Sequence, residues 1–236
     1  MRARIKEKRE VAKGTLLVTF DLLGGHFDFT PGQYFFVTLP DVGHEDDRGL
    51  RRHITVVTSP SERGVLGFAT RMRDSAFKRT LQELPAGAEV DVEPPKGSFG
   101  LPADSSRPLV FIAGGIGITV FRSMLRYIRD EGLPHKITLV YSNRDRESTA
   151  FLDELEELAK ELPNLRLILT MTQDPEWEGE TRRIDSKFLE DHLGDDLNKY
   201  TFLVAGPPAM VEGVQQALDD AGVKEENVLA ERYSGY

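Results

Sequence analysis

With 236 residues the chain has room for two domains of roughly 100 to 130 residues, each able to bury its own core, and 39% hydrophobic against 29% charged residues is an ordinary folded composition. A formal net charge of -9 repels phosphate backbones over most of the surface and disfavours nucleic-acid binding. The chain has no cysteine, which excludes disulfides, a thiolate nucleophile, a Cys-ligated zinc and a Cys-ligated iron–sulfur cluster within these residues.

The opening Met1-Arg2-Ala3-Arg4-Ile5-Lys6 lacks the apolar core of a secretory signal, and no stretch approaches the ~18 apolar residues of a membrane span, so a cytoplasmic location is expected. Short apolar runs broken by turn residues predict strands at 16–22, 33–39, 52–58, 66–72 and 89–93, the pattern of a small antiparallel barrel or sandwich. Ala76, Phe77, Leu81 and Leu84 are spaced for the buried face of a helix over 75–84. The loop 41–49 is polar and expected to be exposed.

After 102–108 the texture becomes strand and helix in alternation, the signature of a parallel sheet. Strands are predicted at 109–113, 137–141, 165–171, 200–204 and 228–230, and helices at 118–130, 148–161, 186–192 and 208–221. The expected architecture is therefore an antiparallel β-barrel over 1–103 followed by a five-stranded parallel-sheet α/β domain over 104–236.

The strongest single motif is the apolar strand 109–113 running into Gly114-Gly115-Ile116-Gly117-Ile118-Thr119. Glycines there let the backbone approach a pyrophosphate at a helix N-terminus, although Val120 stands where the third glycine of GxGxxG would fall. A tight strand-to-helix turn explains the same residues. Ala205-Gly206-Pro207-Pro208 follows another predicted strand at the same sheet edge, and reads either as a second ligand turn or as a helix opening on proline. Asn143-Arg144 ends the second strand, where an arginine accommodates a 2′-phosphate or is simply solvated. In the first half, Arg52 begins a strand and can clamp a pyrophosphate or form a surface pair, and Ser75 opens a helix as an anion site or as a plain N-cap. The histidines 26, 44, 53, 135 and 192 show no metal-ligand spacing.

Taken in order, these fragments resemble the ferredoxin–NADP reductase superfamily over essentially the whole chain, without a fused iron–sulfur domain. Arg52-x-x-Thr55 is similar to its Arg-x-Tyr-Ser/Thr flavin signature, and Asp74-Ser75-Ala76-Phe77-Lys78 to its flavin-phosphate helix start. Gly97-Ser98-Phe99 resembles its closing barrel turn, Gly114 to Thr119 its nicotinamide-nucleotide turn, Ala205-Gly206-Pro207-Pro208 its Cys-Gly-Pro-Pro turn, and Glu231 to Tyr236 its C-terminal segment. The resemblance implies FAD and NAD(P)H as cofactors and a hydride passed from one to the other. A separate ferredoxin-like or flavodoxin-like carrier, or a small acceptor, would take the electrons.

It also implies the site. Arg52 would bind the FAD pyrophosphate, Thr55 would lie near the reactive flavin N5, and Ser75, Ala76 and Phe77 would offer backbone N–H groups to phosphate. Thr70, Gly97 and Ser98 complete the flavin set. Gly114, Gly115, Gly117, Thr119, Asn143, Arg144, Gly206 and Pro207 form the nucleotide set, and Glu231 lies near the hydride path, making Thr55 and Glu231 the implied catalytic pair. Three positions depart from the pattern. Ile54 replaces the ring that stacks on the flavin, so that Tyr233 or Tyr236 must supply one or the packing is aliphatic; Ala205 replaces the cysteine, and Val120 a proline. A reductase that releases flavin as a substrate, or a non-catalytic electron-relay subunit, are the alternatives these departures leave open.

Overall fold

In a computed structural model that describes residues 1–233, the first half of the chain contains β1 (Arg2–Ala12), β2 (Thr15–Leu22), β3 (Tyr34–Thr38), β4 (Arg51–Thr55), β5 (Val65–Arg71), α1 (Ala76–Glu83) and β6 (Glu89–Val92). The six strands pair antiparallel in the order β4-β3-β6-β1-β2-β5. Alternation puts Val18, Phe20, Phe35, Val37, Leu66, Phe68, Val90 and Val92 inside, where they pack on Phe77 and Leu81 of α1. The sheet curls until its edges meet, and Val57 N–H donates to Gly67 O at 2.9 Å. Gly67 permits this approach, since a Cβ there would stand 3.1 Å from Thr58 Cγ2 on the segment that follows β4.

Two differences from the sequence-based expectation have physical causes. β1 carries little apolar signal because its early basic residues alternate with just Ala3 and Ile5 inside, and a register shift between Ile5 and Glu7 breaks the period. Its Lys8 ammonium donates to the carbonyls of Leu81, Gln82 and Leu84, a cation at the C-terminal end of α1. β4 stops at Thr55 rather than running to 58, because the carbonyls of Val57 and Thr58 accept bonds from the other half of the chain: Arg122 Nη1 at 2.7 Å and Ser123 Oγ at 2.7 Å.

The second half alternates β7 (Leu109–Gly114), α2 (Ile118–Asp130), β8 (Ile137–Asn143), α3 (Leu152–Glu161), β9 (Leu165–Met171), α4 (Ser186–Leu193), β10 (Thr201–Gly206), α5 (Pro208–Asp220) and β11 (Val228–Arg232). The strands form a parallel sheet of order β11-β10-β7-β8-β9. α2 and α3 cover the face carrying Phe111 and Leu139, and α4 and α5 the face carrying Val110 and Val140, so β7 is buried on both sides. Stacked Phe111 and Phe121, with centroids 4.7 Å apart, each contribute about 1.5–3 kcal/mol of burial. The expected barrel followed by a five-stranded parallel sheet is the fold observed.

α3 begins at Leu152 rather than 148, because Asp145 holds the preceding residues in a turn: its carboxylate accepts the Ser148 N–H at 2.8 Å and its carbonyl the Thr149 hydroxyl at 2.8 Å. Phe151 then takes a left-handed φ of 61° beneath the Arg122 guanidinium, a conformation costing roughly 1–2 kcal/mol that packing offsets. Arg122 also pairs with Glu154 at 2.9 Å. Leu17, Val57, Ala69 and Phe99 from the barrel share one apolar cluster with Phe121, Met124 and Leu125 of α2, which fixes the two halves against each other.

Candidate active site

Strand order in the parallel sheet reverses between β7 and β10, so their following turns face each other across the crevice where open α/β sheets bind ligands. The turns are pressed together. A Cβ on Gly117 would stand 2.2 Å from Ala205 O, and one on Gly206 3.2 Å from Gly114 backbone atoms. Gly115 adopts φ +51°, and the Thr119 hydroxyl donates to Ile116 O at 3.0 Å.

Against these turns the barrel closes a cavity of about 310 Å³. One wall is Tyr34, Phe36, His53, Ile54, Thr55, Ala69 and Thr70; the other is Ile116, Thr119, Glu231, Arg232 and Tyr233. The first wall is a product of strand alternation: Phe35 and Val37 point into the barrel, which turns Tyr34 and Phe36 outward opposite Thr55 and His53 of β4. Tyr34 and Phe36 each meet the His53 ring, with centroids 5.6 and 5.7 Å away. Gly97, at φ +101°, carries the Tyr34 ring, which a Cβ would approach to 3.0 Å.

Tyr233 joins the walls. Its N–H donates to Gly206 O at 2.9 Å, and its phenol oxygen accepts the Thr55 hydroxyl at 2.9 Å. Burial, reinforced by the charge of Glu231, pushes the phenol well above its usual range. Burial also pushes the Glu231 carboxyl up to about 7, partly offset by the Tyr233 hydroxyl. Its Oε2 is buried and has no hydrogen-bond partner among the described residues.

Of the residues expected in the site, Ile54, Thr55, Thr70, Thr119, Glu231 and Tyr233 line this cavity, and Gly114, Gly115, Gly117 and Gly206 form its pressed turns. Asn143 lies at the same sheet edge beside Tyr141, its carboxamide buried and making no geometrically good hydrogen bond among the described residues, followed by an exposed Arg144. Pro207 is exposed at the start of α5. Ser98 is not brought to the cavity: it is exposed beyond Gly97, and Phe99 turns inward instead to meet Phe121. Tyr236 lies outside the described residues.

The expected phosphate-binding groups form a second locus. Arg52 Nη1 donates to the carbonyls of Arg48 and Gly49, each at 2.7 Å, and of Arg51 at 2.9 Å, while its guanidinium faces the Phe77 ring. The Ala76 N–H is taken by Asp46, and the Ser75 hydroxyl caps α1 by accepting the Lys78 N–H at 3.3 Å. Loop 41–49 is mostly exposed, as expected, but Asp46 within it is half-buried against the α1 N-terminus.

Tyr34, Phe36, His53, Asp46 and Arg71 had not been singled out for the site. The alternation of β3 was a usable signal for the aromatic pair. Arg71, at the end of β5, reaches across the interface until its Nη2 stands 2.9 Å from where a Gly115 Cβ would be. Burial and the neighbouring Arg144 and Arg73 lower its pKa, and its guanidinium makes no ion pair among the described residues.

Comparison with known proteins finds two domain families along the chain. Residues 2–100 match the oxidoreductase FAD-binding domain and residues 111–216 the oxidoreductase NAD-binding domain. The chain belongs to the ferredoxin–NADP reductase superfamily of FAD- and NAD-binding oxidoreductases. Terephthalate 1,2-dioxygenase reductase component 2 of Comamonas sp is 26% identical over 215 residues, which cover 90% of this chain and 61% of that protein. Methane monooxygenase component C of Methylosinus trichosporium is 32% identical over 172 residues, 72% of this chain and 48% of that one. The chain thus spans less than two thirds of either relative. The FAD/NAD-binding domain of a nitric oxide dioxygenase from Vibrio cholerae O1 biovar El Tor has the same fold, with a TM-score of 0.86, 17% identity and 98% of both chains covered.

The cavity suits the ring end of a flavin, since it is walled by aromatic and aliphatic side chains, carries the hydroxyls of Thr55, Thr70 and Thr119, and contains an unpartnered buried carboxyl oxygen on Glu231. No helix among the described residues is long and apolar enough to cross a membrane.

Proposed function

We propose that this chain moves a hydride from NAD(P)H to FAD and hands the electrons to a separate protein carrier or small acceptor, with 1–103 holding the flavin and 104–236 the nucleotide. The supporting observation is a single cavity walled by both halves, with Thr55 of the barrel bonded to Tyr233 of the nucleotide half. Held between these walls, a flavin would supply the hydride-accepting and one-electron-releasing chemistry.

The chain's residues orient the partners and manage charge. Tyr34, Phe36 and His53 give the ring system the aromatic surface that Ile54 lacks. Thr55 and Tyr233 hold a polar edge beside the cavity. Glu231 keeps its proton below pH about 7 and yields it above, next to the path between nicotinamide and flavin. Gly114, Gly115, Gly117 and Gly206 admit the nucleotide backbone, while Asn143, Arg144 and Arg71 face its phosphates and ribose. The Comamonas relative is named as the reductase component of a dioxygenase, which points the acceptor towards a protein partner.

Anaerobic titration with NADH or NADPH should bleach the yellow absorbance of the flavin-loaded protein. A protein that neither carries flavin nor regains it when FAD is added would sink this reading. A reductase that releases its flavin is a second reading, favoured by the engagement of Ala76 and Arg52 within the chain. Retention of FAD through gel filtration separates the two.

A further inference from the structure

Asp46 has no part in the proposed reaction, yet its carboxylate stands where that reaction's cofactor would place its own anion. Its Oδ2 accepts the N–H of Ala76, the first residue of α1, at 2.6 Å. Its Oδ1 accepts the Arg48 N–H at 2.9 Å and lies 3.7 Å from Arg52 Nη2. Ala76 and Arg52 are two of the groups assigned to the flavin pyrophosphate. Positive charge crowds this point: Lys78 is buried with its ammonium bonded to Arg71 O, and burial together with Arg73, Arg52 and Arg48 brings it down to about 8. The cluster attracts an anion, and the chain supplies one.

We propose that Asp46 sets which flavins this chain holds and how tightly, acting as an internal surrogate for the flavin phosphate. The inference rests on the flavin-binding reading above. FMN and FAD must displace the carboxylate from Ala76 and Arg52 or sit beside a like charge, whereas riboflavin carries no phosphate and leaves it in place. The loop would have to turn on the glycines that flank Asp46. Gly43 and Gly49 flank Asp46 at φ +93° and +62°, and a Cβ at either would meet nothing within 4 Å. Moving the loop also releases Arg52 from the Arg48 and Gly49 carbonyls, so a single displacement presents both donors to phosphate.

The test is a titration of the wild type, Asp46→Asn and Asp47→Asn with riboflavin, FMN and FAD, followed by flavin fluorescence. Asparagine keeps an oxygen for the Ala76 N–H while removing the charge, and the exposed Asp47 controls for the same charge change next door. Asp46→Asn should tighten FMN and FAD about tenfold, leave riboflavin unchanged, and have no counterpart in Asp47→Asn. Unchanged or weaker FAD binding by Asp46→Asn overturns the proposal, as does equal tightening of riboflavin or an equal effect of Asp47→Asn. If Asp46→Asn does not fold, Asp46→Ser is read by the same criteria. Failure of the wild type and the variants to bind any of the three flavins overturns the flavin reading and this inference with it.

Discussion

The two halves of the molecule build their walls of the cavity by different means. The nucleotide half uses backbone: Gly114, Gly117 and Gly206 bring two turns within contact at the point where strand order reverses. The barrel half uses side chains, with Tyr34, Phe36 and His53 turned outward by the same alternation that fills the barrel. A backbone-built wall tolerates almost no change at its glycines and is indifferent to much else. A wall of side chains can change ring by ring while the fold persists.

The largest expected effect probes the backbone side of that contrast. Gly117→Ala places a methyl 2.2 Å from Ala205 O, a backbone atom of β10 that is paired on both sides, by β7 and β11, and cannot retreat without moving the strand. Destabilisation of about 3 kcal/mol or more is expected, read as a fall in midpoint in denaturant unfolding. Phe36→Leu, on the barrel wall, should leave the unfolding midpoint within about 1 kcal/mol of wild type while loosening flavin. Comparable losses of stability in the two variants would break the distinction.

A smaller effect comes from Glu231, where the two walls meet. Burial favours its neutral form in the folded chain, raising its pKa from 4.5 to about 7, so the folded state holds a proton that the unfolded state gives up between those values. Its contribution to stability is full below about 4.5 and lost as pH rises through about 7. The decline is on the order of 3 kcal/mol. Glu231→Gln should flatten that slope in unfolding experiments across this range, and should remove any inflection near pH 7 from the rate of flavin reduction. A slope unchanged in Glu231→Gln would mean that another group carries it.

The contrast also explains what could be read from the residues alone. The parallel sheet and both glycine turns were legible, because buried strands leave continuous apolar runs and the turns require glycine at fixed places. β1 was not, since a charged strand with a register shift has no clean period. The late start of α3 escaped because Phe151 takes a left-handed conformation that its side chain does not advertise. The aromatic wall was half legible: its alternation was visible in residues 34–37, but which side faced a ligand depended on the partner strand. Asp46 was illegible in principle, because a polar loop shows no sign of the helix end it will fold against.

Arg71 crosses the line between the two walls, and so tests whether the division is one of ligand as well as of construction. It belongs to β5 of the barrel, yet its guanidinium lies over Gly115 with Arg144 close enough to disfavour its charge. Arg144 and Arg73 both disfavour the charge of Arg71 at this edge, with Asp145 partly offsetting them, and an anionic nucleotide would favour it. Arg71→Met keeps the apolar stem and removes the charge, so packing on β5 should survive. The expected outcome is a KM for NAD(P)H raised about tenfold with the FAD affinity unchanged. If FAD affinity falls instead, Arg71 serves the wall it is built on; if the nucleotide KM rises alone, the barrel half reaches into the nucleotide site through one side chain, and neither half binds its nucleotide fully without the other.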